Sequence, residues 1–329
     1  MKKLIPLLVI AAACSTTKET KEVGFIERLD PALDNIIAAD AQVEVIAKGY
    51  DWSEGPVWVD SERMLLFSDV PQNVVYKWTA QRGAEEYLRP SGFTGEKTRS
   101  TEPGSNGLLI DDQGRLVLCQ HGDRQLAFMD AELTQPSTKY SPIASTYNGK
   151  RFNSPNDAVQ AKDKSFYSTD PPYGLGNRDE SDPEKEIPFQ GVYKVTPDGK
   201  VRVLVDSITR PNGIGLSPDN KYLYVANSDP RKARWYKYEL GDTSVLSGSV
   251  FYDATTLATQ SPGLPDGFKV SSKGNLFASG PGGVYIFSGD GHVLGKIRLE
   301  AACANTALTP DEKWLFVTND SLVLRIPLK

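Results

Sequence analysis

Four oxygen-bearing side chains each stand just before a short hydrophobic stretch: Glu54 in Ser53-Glu54-Gly55-Pro56, Asn156 in Ser154-Pro155-Asn156-Asp157, Asn212 in Arg210-Pro211-Asn212-Gly213 and Asp266 in Leu264-Pro265-Asp266-Gly267. Two carboxylates and two amide oxygens form a hard donor set suited to one divalent cation. Ca2+ is favoured, with Mg2+, Zn2+ or Mn2+ as alternatives. An ion held this way keeps positions open for water and a carbonyl oxygen. It would polarise a lactone or ester and stabilise the oxyanion formed on attack. A carboxylate beside it can pass a proton to or from the reacting atoms. Asp266 suits that task, although a bound cation lowers its basicity.

These side chains need a scaffold that brings distant segments to one point. Two further clusters, Ser105-Asn106-Gly107 and Ala304-Asn305-Thr306, complete a series of six. They recur roughly every 40–55 residues with several strand-like runs between them, the mark of a β-propeller. The fourth unit is the clearest, with Gly213-Ile214-Gly215-Leu216, a Ser217-Pro218-Asp219-Asn220 turn, Tyr222-Leu223-Tyr224-Val225-Ala226, Trp235-Tyr236-Lys237-Tyr238 and Val250-Phe251-Tyr252. The β-branched and aromatic runs have strand length and are bounded by turn formers. The sixth unit supplies only three strands, and Val43-Glu44-Val45-Ile46 is the candidate for the fourth. Closure by that segment would leave no long exposed edge. Helix is minor, with a helical apolar period only near residues 33–39. The fold class is therefore all-β, a six-bladed propeller, and the loop leading into each innermost strand points at the central channel.

That placement ranks the other candidates. His121 ends a second-blade strand and reads either as a group at the channel mouth titrating near neutral pH or as a histidine hydrogen-bonded at a strand end. Tyr173, in Asp170-Pro171-Pro172-Tyr173-Gly174, follows an inner strand and is a substrate-wall candidate, as are Asn106 and Asn156. Asn305 more simply satisfies its own turn. Ser217 to Asp219 is a structural hairpin turn, and His292 in Asp290-Gly291-His292 a solvated one. The tryptophans read as packing between blades, with Trp52 at the pocket border. Long insertions at residues 90–103 and 177–188 read as rim loops, and the charges of residues 180–186 as solvated.

Composition narrows the class. A formal net charge of −5 over 329 residues gives no basic stripe, so nucleic acid is not expected as a partner. Lys2-Lys3 and the apolar residues 4–13 form a short secretory signal ending in Ala11-Ala12-Ala13-Cys14. Small residues directly before a cysteine resemble a bacterial lipobox, although Ala11 stands where Leu is usual. The alternative is an ordinary signal peptide with an incidental cysteine. The lipobox reading divides the chain into a signal peptide at residues 1–13, a lipidated linker at 14–40 and the propeller at 41–329. It makes Cys14 the lipid-bearing residue, tethers the domain to the bacterial cell envelope, on the periplasmic or outer-membrane face, and limits membrane contact to the anchor. Cys119 and Cys303 fall in non-adjacent blades and are expected as free buried thiols. With only two histidines, a Cys/His zinc cage is ruled out.

The motifs together resemble those of the gluconolactonase/regucalcin family, also called the senescence-marker-protein family. They are Ser53-Glu54-Gly55-Pro56, residues 151–157 (Arg-Phe-Asn-Ser-Pro-Asn-Asp), residues 169–174, Arg210-Pro211-Asn212-Gly213 and Pro265-Asp266-Gly267, in the family's order from about residue 43 onward. The resemblance implies a six-bladed propeller with one divalent cation at the channel mouth, Glu54, Asn212 and Asp266 as metal ligands, and Asp266 as proton donor and acceptor. Asn156 matches a position that contacts substrate and, in the related paraoxonases, the metal. Residues 119–124 resemble a Cys-Glu-His-Gly-Asn-Arg segment of bacterial gluconolactonases, from which Gln120 and Asp123 depart. The implied activity is metal-dependent opening of a small sugar lactone. An arylesterase or phosphotriesterase on the same site and a non-catalytic ligand-binding propeller remain the alternatives, since fold does not fix function.

Overall fold

The computed structural model describes residues 23–329. The signal segment, the lipobox and Cys14 lie outside the described residues. Six antiparallel sheets of four or five strands stand around a central channel, each running outward from an inner strand. Blades one to four are contiguous in sequence, with inner strands Ser53–Val59, Ser105–Ile110, Ala158–Gln160 and Pro211–Leu216. Blades five and six begin at Phe268–Val270 and Asn305–Leu308. Among the described residues helix is confined to two short 3-10 turns, Pro31–Asn35 and Leu257–Thr259, so the helical signal near residue 33 amounts to one turn. Among the described residues no helix is long and apolar enough to cross a membrane.

Ring closure follows the sequence expectation. Glu44–Lys48 pairs antiparallel with Leu322–Pro327, Glu44 opposite Arg325 and Lys48 opposite Leu322, and supplies the fourth strand of blade six. The expected linker is different. Gly24–Arg28 pairs with Val293–Leu299 as a fifth strand on blade five, and Leu33 and Ile37 are completely buried between blades five and six. Residues 24–39 therefore belong to the body rather than to a tether. Their few apolar side chains find a groove that the linear pattern does not advertise.

A buried hydrophobic cluster fills each of the six inter-blade seams. Trp235 sits in the four–five seam and Trp78 in the one–six seam. Hairpins on the far side from the site repeat one device. Ser217 Oγ donates to Asp219 Oδ1 at 2.6 Å and accepts from the Tyr222 N–H at 2.9 Å, and Thr309 does the same with Asp311 and Trp314 at 2.6 and 3.1 Å. The Ser-Pro-Asp segment is thus a turn, as expected. His292 is exposed in its turn, with Nε2 3.0 Å from Asp30 Oδ2. Cys119 and Cys303 are both free and buried.

Candidate active site at one mouth of the channel

The donors are placed by an inter-blade stapling scheme rather than by their own strands alone. In blade after blade, a hydroxyl at the end of the second strand donates to a carbonyl at the start of the next blade's inner strand. Ser68 Oγ donates to Asn106 O at 3.0 Å, Thr169 Oγ1 to Asn212 O at 2.6 Å, Ser228 Oγ to Pro265 O at 2.6 Å and Ser279 Oγ to Ala304 O at 2.8 Å. Backbone bonds add to it, from Gly107 N to Asn156 O at 2.7 Å and from Gly267 N to Ala304 O at 2.8 Å. Register shifts beside Glu54, Asn106 and Asn212 re-aim those side chains, the usual effect of a bulge at a sheet rim. The glycine after a donor is a steric requirement: a Cβ at Gly267 would lie 1.9 Å from Asn305 Cγ, and one at Gly55, whose φ is +49°, 2.0 Å from Asn106 O.

The result is one cavity of about 340 Å³ lined by Glu54, Asn106, Asn156, Asn212 and Asp266, with Trp52 and Tyr173 on its wall. The sequence-predicted donors and wall residues thus meet in one place. Glu54, Asn106, Asn156 and Asn212 are at most 5% exposed. Asn106 Oδ1, Asn156 Oδ1 and Asp266 Oδ1 are buried without a hydrogen-bond partner. Asn212 gives its Nδ2 to Ser228 Oγ at 2.9 Å, which leaves its carbonyl oxygen as the donor end. Burial pushes the Glu54 carboxyl up against the restraining Gly55 N–H, and the Asp157 charge adds to the rise. Burial also pushes Asp266 well above the carboxylate range, with Glu54 and Asp157 repelling its charge. Uncompensated buried carboxylates and orphaned amide oxygens around one cavity are costly alone and fit a cation.

His121 is placed differently. It is fully buried, makes no hydrogen bond through either ring nitrogen and does not line the cavity. Burial pulls its imidazole down to about 3. Gly174 packs on it so closely that a Cβ there would lie 2.6 Å from His121 Cβ, and His121 thereby supports the turn that carries Tyr173. A strand-end histidine reads identically in sequence whether the next loop covers it or leaves it open.

Seven lining residues carry no site reading from the sequence: the polar or titratable Glu102, Arg178, Ser228 and Cys303, and the small or apolar Gly263, Leu264 and Ala302. Glu102 and Arg178 come from the two long insertions and form an ion pair at 2.7 Å. Cys303 was expected as a buried core thiol and also borders the cavity. Asn305, read as a turn residue, does more. Its Oδ1 accepts from the Thr306 N–H at 2.8 Å, which turns Nδ2 toward Glu54 Oε2 at 3.4 Å. Asp157, also unassigned from sequence, is buried behind the donors, with Lys269 opposing the upward push that burial gives its carboxyl.

Comparison with known proteins agrees with this architecture. Residues 52–321 match the SMP-30/Gluconolactonase/LRE-like region. The chain is 38% identical over 330 residues to a gluconolactonase of Zymomonas mobilis, covering 97% of this chain and 90% of that protein. It is 23% identical to a pentonolactonase of Haloferax volcanii over 80% of both chains. Among solved structures, a gluconolactonase from Xanthomonas campestris superposes with a TM-score of 0.79 at 29% identity, covering 92% of this chain and 95% of the other. A calcium-binding regucalcin from Agrobacterium tumefaciens shares the fold with a TM-score of 0.66 at 17% identity, over 87% and 94% of the two chains. This chain belongs to the SMP-30/gluconolactonase/LRE-like family of β-propellers.

Proposed function

We propose that the protein is a hydrolase that opens sugar lactones at the channel-mouth cavity, using one divalent cation held by Glu54, Asn156, Asn212 and Asp266. One observation above all supports this: the unpartnered, buried oxygens of Asn156 and Asp266 face the same cavity as Glu54 and Asn212. The gluconolactonase relative named above also supports this reading. The donors are all oxygen, which favours Ca2+. When bound, such an ion would supply Lewis-acid polarisation of the lactone carbonyl and stabilise negative charge on its oxygen.

The chain's own groups do the rest. Water adds to the lactone carbonyl carbon, the bond from that carbon to the ring oxygen breaks, and the ring oxygen takes up a proton. Asp266 is the residue for proton exchange, since its carboxyl lies on the cavity and its Oδ1 is unpartnered. His121, neutral and covered by Gly174, is assigned to support of the Tyr173 turn. Asn106 and Tyr173 orient the substrate from the wall, and Trp52 presents an apolar face.

A pH-stat assay across glucono-, galactono- and arabinono-lactones, corrected for spontaneous opening, tests the activity. The cation-loaded protein should open at least one of them faster than its chelated form. No difference for any of them would reduce the site to ligand binding. Elemental analysis should find close to one cation per chain, lost in the Glu54→Gln, Asp266→Asn double variant. Unchanged metal content in that variant would remove these residues from the ligand set.

A further inference from the structure

Each blade ends in an outer strand whose far edge has no strand partner among the described residues. Such an edge is a ready template for another strand, and proteins guard it with charges, proline or brevity. Five of the six edges are guarded in that way. Gly83–Leu88 carries Glu85 and Glu86, Tyr140–Ala144 carries Pro142, Val201–Val205 carries Arg202, Gly24–Arg28 ends in Glu27 and Arg28, and Glu44–Lys48 has a charge at each end. None of these five exceeds six residues. The outer strand of blade four differs. Val245–Asp253 is nine residues long, and neither a charge nor a proline stands before its last residue.

The unguarded stretch is also the open one. Residues 246–250 are all exposed, Leu246 to 66% and Val250 to 47%. The run Leu246-Ser247-Gly248-Ser249-Val250 reads almost the same in either direction about Gly248. A second copy, antiparallel and related by a two-fold axis at Gly248, therefore matches it residue for residue. Gly248 would face the partner's Gly248, Ser247 the partner's Ser249, and Leu246 the partner's Val250. An isologous contact has to be self-complementary in this way. The next strand inward fits as well. Lys237 stands opposite Ser249 and Glu239 opposite Ser247. Each joined row would thus run from Lys237 through two serines to the partner's Glu239, with opposite charges at its ends. Tyr238 stands opposite Gly248 and covers it so closely that a Cβ on the glycine would lie 2.6 Å from Tyr238 Cδ1. A pair of glycines on the axis leaves room for the two tyrosine rings to meet.

We propose that the protein pairs with a second copy of itself through the Val245–Asp253 edge, antiparallel and centred on Gly248, joining the two fourth blades into one continuous sheet. This edge lies at the outer rim of the ring, and none of its residues lines the channel-mouth cavity. Pairing leaves both cavities open and does not depend on the reaction proposed above.

Sedimentation velocity tests it on the full chain carrying Cys14→Ser, which prevents lipid or disulfide linkage through that residue, in a mild nonionic detergent. The natural edge should give a dimer with a dissociation constant of about 10 µM or tighter. Val250→Lys sets a charge on either side of the axis. It should weaken the dimer by roughly 10-fold or more and leave the circular-dichroism spectrum unchanged. Leu246→Lys, at the more exposed position, should do the same and serves where Val250→Lys disturbs the fold. The register is read by mixing Ser247→Cys chains with Ser249→Cys chains in a glutathione redox buffer. The mixture should form a disulfide-linked dimer roughly 10-fold or more faster than either variant alone, since only unlike positions face each other. A monomer at every concentration overturns the proposal and leaves the edge to a strand from another protein. A dimer indifferent to both lysine substitutions overturns it too, as does a single cysteine variant that cross-links as fast as the mixture.

Discussion

At the scale of single residues, two buried side chains outside the donor set have testable roles. The folded-state pKa of His121 lies near 3 against an ordinary 6.5 because burial disfavours its charged form. A depressed folded pKa means that the stabilising contribution is complete above the unfolded value and is lost as pH falls from there toward the folded value. Lowering the pH from about 7 to about 5 should therefore cost on the order of 2 kcal/mol through this group. Urea midpoints of the wild type and His121→Asn at both pH values would show it, with the variant losing less on acidification. Identical losses would mean that His121 is not the acid-sensitive group. Asn305 is a positioning residue for Glu54, its amide orientation fixed by the Thr306 N–H. Asn305→Ala should weaken binding of the proposed cation by roughly 10-fold or more without unfolding the protein, the usual cost of removing a partner that orients a ligand. Unchanged affinity in a calcium titration would contradict that role.

At the scale of elements, the second strands matter as much as the inner strands that bear the donors. Ser228, just beyond the second strand of blade four, accepts from Asn212 Nδ2 and donates to Pro265 O, linking a proposed ligand to the segment that leads into Asp266. Ser228→Ala deletes both bonds in a buried setting. It should cost about 1–3 kcal/mol of stability in the cation-free protein. It should also lower cation affinity, because Asn212 would be free to turn its amide. Loss of stability with affinity intact would limit the serine to holding the blades together. The hydroxyls of Ser68, Thr169 and Ser279 make the equivalent inter-blade bonds.

For the whole molecule, closure of the ring depends on the N-terminal region in two separate ways. Glu44–Lys48 completes blade six, whereas Gly24–Arg28 and the buried Leu33 and Ile37 cover the seam between blades five and six. A chain beginning at residue 41 keeps the closing strand and loses that cover. Two fully buried aliphatic side chains contribute about 1.5–3 kcal/mol each, so its melting temperature should drop by roughly 10 °C, the ring still closing. A chain beginning at residue 49 loses the closing strand as well and should lack a single cooperative transition. If the first truncation melts like the full chain, residues 24–40 are only a covering and not part of the folded unit.

The blade count and the cavity-facing positions of Glu54, Asn156, Asn212 and Asp266 were legible in the sequence because each position is fixed by a local rule. Each stands where a turn hands over to an inner strand, so a repeated pattern of turn formers and strand runs marks all four. The closing strand was legible for a similar reason: blade six lacked one strand and a spare alternating segment lay at the other end of the chain. Tertiary structure alone decided which residues of irregular segments face inward. Glu102 and Arg178 meet only because two insertions, some 70 residues apart, fold over the same mouth. No periodicity marks a loop side chain as lining or solvated. His121 shows the converse, since its burial depends on where the Tyr173–Gly174 turn comes to rest, and the groove that receives Leu33 and Ile37 exists only once blades five and six are side by side. Local pattern records what each segment prefers by itself, whereas the cavity wall is made by contacts between segments that share no local signal.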